Sequence, residues 1–134
     1  MPIQTDFNVV ICGAGLAGLT LARQLKLELP ELSVALIDRL TSPLPEAAFK
    51  VGESSIELST YYFGQVLKLD SYFRAKHFPK FGLRFFIGDA QGPVTERPEA
   101  GQTMFPPVPS YQIDRGRLEN DLRKWMSDWG VTLF

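Results

Sequence analysis

The chain has 134 residues, of which 45% are hydrophobic and 12% aromatic, enough for one globular domain with a core and too few for two. Fourteen Lys and Arg against fifteen Asp and Glu leave a formal net charge of −1, without the basic footprint that a nucleic-acid partner requires. The single cysteine, Cys12, can form neither an internal disulfide nor a cysteine-based zinc site, so no metal is expected and a reducing cytoplasm is the expected compartment.

The longest uncharged stretch runs from Phe7 to Ala22, but it contains three glycines and is too short to span a bilayer. The residues before it include Asp6 and no Lys or Arg, unlike the positive start of a secretory signal. A strand and a loop explain the stretch better. Asn8-Val9-Val10-Ile11-Cys12 has the near-continuous apolar pattern of a parallel strand covered on both faces, with Cys12 as a buried packing thiol. Gly13-Ala14-Gly15-Leu16-Ala17-Gly18 follows at once and fits GxGxxG. A helix is expected from about Gly15 to Leu29, with Leu21, Leu25 and Leu29 facing inward and Pro30 closing it. Ser33-Val34-Ala35-Leu36-Ile37-Asp38 then reads as a second strand and completes a βαβ unit over 7–38.

This order of elements suits a dinucleotide. The first glycine permits the tight turn, the second lets a pyrophosphate approach the backbone, and the third allows close helix–strand packing. The helix N-terminus offers unpaired N–H groups and a positive dipole end to the phosphates. Asp38, twenty residues beyond Gly18, stands where a carboxylate accepts from the adenosine ribose hydroxyls.

Beyond Asp38, the segment 39–45 is loop-like and runs into Lys50-Val51-Gly52-Glu53-Ser54-Ser55. Ser54-Ser55-Ile56-Glu57 has the form of a capping box, which starts a helix with Ser54 as N-cap. Ile56, Thr60, Phe63 and Leu67 would give that helix, within 49–70, its inward stripe. Gly52 could bring backbone and the Glu53 carboxylate close to a bound cofactor. Phe81, Leu83, Phe85 and Ile87 alternate along a strand expected to bury one face. From Gly88 through Pro98, Pro106, Pro107 and Pro109 the chain reads as turn and irregular backbone. The last helix is expected over 115–129, with Leu118, Leu122, Trp125 and Trp129 at i, i+4, i+7 and i+11, Gly130 ending it and a strand beginning at Val131. The fold class that results is α/β: a Rossmann-like FAD/NAD(P)-binding fold with a parallel sheet, incomplete at its carboxyl end. Apolar faces would then be left for a missing remainder or for self-association.

The segments GAGLAG with Asp38, Lys50-Val51-Gly52-Glu53-Ser54, Lys80-Phe81-Gly82-Leu83-Arg84-Phe85 and Tyr111-Gln112-Ile113-Asp114-Arg115-Gly116-Arg117-Leu118-Glu119 occur here in chain order. In this the chain resembles the amino-terminal part of flavin-dependent halogenases and their FAD monooxygenase relatives, which are several times longer. The resemblance implies FAD as cofactor, an electron-rich aromatic substrate and a flavin reductase as partner of the whole protein. It implies that Gly13, Ala14, Gly15, Leu16, Ala17 and Gly18 hold the FAD pyrophosphate and Asp38 the adenosine ribose. Val51, Gly52, Glu53 and Ser54 would lie toward the flavin. Arg115 matches an arginine that can reach FAD phosphate or ribose oxygens, and Arg39 would lie over the adenine or be solvated. Lys80 matches the lysine that similar halogenases use to capture or hydrogen-bond hypohalous acid, so it is the candidate catalytic residue. His77 is expected to be a loop or surface histidine. The Trp-x-Trp-x-x-Pro segment of halogenases does not occur, and the only tryptophans, Trp125 and Trp129, are helix-spaced. An FAD monooxygenase or reductase of the same fold, or a truncated nucleotide-binding protein without chemistry, are the other readings. No turnover is expected of this chain alone.

Overall fold

The computed structural model describes residues 6–46, 50–88 and 91–134. Three parallel strands, β1 (Val9–Cys12), β2 (Val34–Ile37) and β7 (Thr132–Leu133), lie side by side in the order β1-β2-β7. Helix α1 (Leu16–Glu28) crosses from β1 to β2, and helix α4 (Arg115–Asp128) packs along α1 before leading into β7. This is a partial Rossmann-like α/β fold with a parallel sheet. Between β2 and α4 come α2 (Glu57–Tyr61), a π-helical turn (Tyr62–Val66), α3 (Asp70–Lys76) and two antiparallel ribbons. In one ribbon β3 (Phe78–Lys80) pairs with β6 (Ser110–Gln112); in the other, β4 (Arg84–Phe86) pairs with β5 (Glu99–Gly101).

The core gathers Leu19 and Ala22 of α1, Val34 and Leu36 of β2, Phe63, Leu67, Phe73, and Leu118, Leu122 and Met126 of α4. Burial of this set supplies the main drive to fold, at about 25 cal/mol per Å² of apolar surface. Gly130, at φ +77°, ends α4: its N–H bonds to Ser127 O and the Val131 N–H reaches back to Met126 O. That pair of bonds satisfies carbonyls the helix end would otherwise leave open and turns the chain into β7.

Several expectations need correction. Strand β1 is not covered on both faces: Ile11 is buried, while Val10 and Cys12 are exposed, as is Ile37 of β2. Burial alternates along β1, whereas β2, between its two neighbours, keeps Val34, Ala35 and Leu36 buried in a row, and Cys12 is not a packing thiol. On α1 the inward face is Leu19, Ala22 and Arg23, whereas Leu21 and Leu29 are exposed. The helix turns its small residues toward β1, and that rotation carries Leu21 and Leu29 outward while Leu25 stays half-buried against the core. Arg23 is accommodated by donating from Nε to Leu67 O (2.8 Å) and by lying over the rings of Trp125 and Trp129, at 5.4 and 4.7 Å. Burial lowers its pKa.

Ser54 is not a helix cap either. Residues 53–55 pair with β6 instead: Ser55 N–H donates to Tyr111 O (2.8 Å) and Ile113 N–H to Glu53 O (2.6 Å). Helix α2 starts two residues later, with Ile56 as N-cap and exposed. Phe81, Leu83, Phe85 and Ile87 do not form one half-buried strand. A break at Gly82, φ +124°, separates β3 from β4, and all four side chains are exposed. His77 is buried, at 5% exposure, between Tyr72 and Phe73, and not on the surface.

Candidate functional site: a glycine loop and a second loop joined by one helix

At the end of β1 the chain turns through Gly13, whose φ of +105° favours glycine and whose N–H donates to Ile37 O at 2.7 Å. Gly15 follows as the N-cap of α1 without any side-chain cap, and the first turn of α1 carries no acid. A Cβ built on Gly15 meets nothing within 4 Å, so this end of the helix is open to a ligand. Gly18 is the opposite case. A Cβ there would stand 1.9 Å from Gly13 O and 3.2 Å from Ile11 Cγ2, so only glycine lets the helix lie this close to the strand. Ala14 is buried, Leu16 packs against the core, and Ala17 is exposed at the same helix end.

Asp38, at the end of β2, faces this loop. Its Oδ2 accepts from Ala14 N–H (2.7 Å) and from Arg123 Nη2 (3.1 Å), and its Oδ1 accepts from Leu40 N–H (3.0 Å). The hydrogen bond from Leu40 is the largest cause of a lowered Asp38 pKa, helped by Ala14 and the Arg123 charge and opposed by desolvation. The carboxylate is therefore ionised at neutral pH, and with Oδ2 accepting twice, Oδ1 carries the acceptor capacity left for a further donor. Arg39, next in the chain, is solvent-exposed.

The second loop lies across the β3–β6 ribbon. Gly52 has φ +91°, and the Val51 carbonyl accepts from Arg115 Nη1 at 2.7 Å. Arg115 Nη2 is paired with Glu119 Oε1 (2.6 Å), and Lys50 Nζ is paired with Glu119 Oε2. Glu119 is fully buried. Glu53 and Ser54 are fixed through the backbone pairing with β6 and an isolated bridge from Ser54 to Gln112. At the end of β3, Lys80 Nζ donates to Ser54 Oγ and to Ser55 O, both at 2.6 Å. Lys80 lines an open, mostly apolar cleft of about 480 Å³ together with Ile56, Leu83 and Phe85. His77 stands behind the ribbon, accepting the Asp114 N–H on Nδ1 at 3.3 Å, and burial lowers its pKa.

The structure thus brings the sequence-derived site residues into two groups. Gly13 to Gly18 and Asp38 form one; Val51 to Ser54, Arg115 and Lys80 form the other. Arg39 joins neither. Lys50, Glu119 and Arg123 are contact-making residues that the sequence did not single out for a role. An i,i+4 spacing signals the Arg115–Glu119 pair, but nothing local signals Arg123, whose acceptors lie about 80 or more residues away.

No family model matches the chain. The flavin-dependent halogenase chlA of Dictyostelium discoideum is 30% identical over 139 residues, an alignment that takes in 98% of this chain and 23% of that protein. The chain resembles the amino-terminal portion of flavin-dependent halogenases. The myxobacterial chondrochloren halogenase CndH agrees with it at a TM-score of 0.68 and 25% identity, over 95% of this chain and 28% of that one. Halogenase PltM, solved in complex with phloroglucinol and FAD, shares the fold at a TM-score of 0.69 and 19% identity, over 97% and 28% of the two chains. The halogenase-like chain therefore spans about a quarter of the length of the curated relative it matches. Among the described residues no helix is long and apolar enough to cross a membrane.

Proposed function

We propose that the chain is the FAD-binding portion of a flavin-dependent halogenase-like oxidoreductase. The observation that carries this reading is the open helix end at Gly15: an uncapped N-terminus without an acid, closed behind by Gly18 and flanked by an ionised Asp38. These residues fit a diphosphate bearing a ribose. The N–H groups from Gly13 to Gly18 would hold the pyrophosphate and Asp38 the ribose hydroxyls, with Arg39 beside the adenine. Val51, Gly52, Glu53 and Ser54 would lie toward the flavin. In that arrangement Arg115 holds the Val51 carbonyl and adds positive charge at the flavin end.

When bound and reduced, the flavin would use oxygen to oxidise halide. Lys80 would then hold the hypohalous acid. Its ammonium has three N–H groups and spends two on Ser54 and Ser55, which fix its position and leave one donor for an oxidised halogen. The apolar cleft beside it suits an electron-rich aromatic. We further propose that the short chain binds FAD without completing turnover, in keeping with the 23% of the curated relative that it spans. A flavin reductase would be the partner of a turning-over protein, in a cytoplasmic setting.

The test has two parts. FAD titrated into the chain should saturate at one site. In the longest protein that the reading frame encodes, chloride-dependent halogenation of an indole or phenol should be lost in Lys80→Met while FAD binding is kept. An FAD-binding protein that hydroxylates its substrate, or whose chlorination rate is unchanged in that variant, overturns the halogenase part of the reading.

A further inference from the structure

Helix α4 carries Arg115, Glu119 and Arg123 at positions i, i+4 and i+8, on one stripe of its surface. Glu119 is fully buried, and the Arg123 side chain is only 2% exposed. Buried charges on a helix that also supplies Leu118, Leu122 and Met126 to the core are a costly way to fill space. Their partners explain them. Arg123 Nη2 reaches both Asp38 Oδ2 and Ala14 O, each at 3.1 Å, and Nη1 reaches Leu40 O (3.0 Å) and Ser42 Oγ (3.2 Å). One planar guanidinium therefore links the glycine loop, the carboxylate after β2 and the loop beyond it. One turn earlier, Glu119 grips Lys50 and Arg115 on either side of Val51, Gly52 and the backbone they fix.

We infer that Arg123 and Glu119 are positioning residues which set the two ends of the cofactor site on one rigid helix: Arg123 the adenosine end, Glu119 the flavin end. The inference rests on the FAD reading above. It goes beyond it because neither side chain needs to touch the cofactor. Arg123 and the Ala14 N–H hold Asp38 by Oδ2, which leaves on Oδ1 the acceptor capacity that the Leu40 N–H does not use. Glu119 holds the cations that tether the Val51–Gly52 loop. A helix of fixed rise then sets the separation between these two anchors, 6 Å for the four residues from 119 to 123 at about 1.5 Å each. Lysine at 123 would keep the charge but lose the fork that reaches four acceptors at once.

The test compares the chain with its Arg123→Lys, Arg123→Met and Glu119→Gln variants. Three quantities are read: the Kd for FAD, the Kd for ADP as a probe of the adenosine end alone, and the visible spectrum of bound FAD. Arg123→Lys and Arg123→Met should weaken FAD and ADP in parallel, by tenfold or more, with the flavin spectrum of the saturated protein unchanged. Glu119→Gln should leave ADP within about twofold and shift the spectrum of bound FAD. Should Arg123→Met fail to fold, Arg123→Lys still decides the matter, because it keeps a cation opposite Asp38. Parallel losses of both ligands in every variant, tracking the fall in melting temperature, would mark a merely structural role and overturn the inference, as would unchanged affinities and spectra. Unaltered chain that binds neither FAD nor ADP defeats the cofactor reading itself, a result distinct from binding that the variants fail to divide.

Discussion

Adding one methyl group at Gly18 and one at Gly15 should have opposite consequences, although both glycines belong to the same loop. In Gly18→Ala the new Cβ falls 1.9 Å from Gly13 O. Carbon and carbonyl oxygen rest no closer than about 3.3 Å, so helix and loop must part by roughly 1.4 Å at that point. The obstructing atom is backbone in a left-handed turn, which cannot rotate aside, and overpacking of this kind costs up to about 3 kcal/mol. Alanine returns about 1 kcal/mol of helix propensity. A net loss of about 2 kcal/mol follows, which for a chain of this size lowers Tm by roughly 8 °C. In Gly15→Ala the Cβ enters open space, and the φ of −84° suits alanine. Ligand-free stability should change by less than about 1 kcal/mol, the range of an N-cap substitution. The same methyl occupies the approach to the helix end, so FAD affinity should fall at least tenfold, or about 1.4 kcal/mol. Thermal unfolding followed by circular dichroism, with FAD titration followed by flavin fluorescence, measures both. A Gly18→Ala chain as stable as its parent would refute the packing argument. Equal FAD affinity in Gly15→Ala would refute the placement of the pyrophosphate.

Three further outcomes are expected. Gly116→Ala should destabilise the chain by about 1–2 kcal/mol, because its Cβ would stand 2.1 Å from Glu46 O, and urea titration should show a lower midpoint with an unchanged slope. His77 should make stability fall as pH drops below the ordinary imidazole value of about 6.5. Burial holds its imidazole below the ordinary value of about 6.5, so the unfolded chain takes up the proton first, and the stabilisation present above that value is lost as pH falls toward the folded pKa. Asp114 and Asp121 oppose this shift and Arg117 reinforces it; His77→Phe should flatten the profile in that window, and an equally steep profile would contradict the assignment. Glu119→Gln should cost about 3 kcal/mol in thermal unfolding, since it weakens the pairing of Lys50 and Arg115 with a buried carboxylate, and a loss under about 1 kcal/mol would show that pair to be idle.

The βαβ unit was legible because its signals are local. Apolar runs at 9–12 and 34–37, a glycine at each place where backbone must turn or close, and an acid at the end of the second strand all lie within 7–38. Element ends matched within a residue or two for α1 and α4. Failures came where distant partners overrode local preference. Ser54 and Ser55 carry a helix-start pattern, yet the strand edge of β6 takes their backbone, and the Ser55 hydroxyl accepts from Tyr111 N–H at 2.6 Å. The Phe81–Ile87 alternation is real but has no covering layer among the described residues, so periodicity alone misassigned burial. Arg23, Glu119 and Arg123 look like the solvated faces of amphipathic helices. They are inside because acceptors or ion partners from Leu67, Lys50, Asp38 and Ala14 come to them, pairings between residues far apart in sequence that no helical period encodes.

The central claim is that this glycine loop holds FAD. Isothermal titration of FAD into the folded chain tests it most directly. The account predicts one saturable site, competed by ADP and weakened at least tenfold in Gly15→Ala. Heat of dilution alone from a chain shown by circular dichroism to be folded, or binding that ADP does not displace, would contradict it.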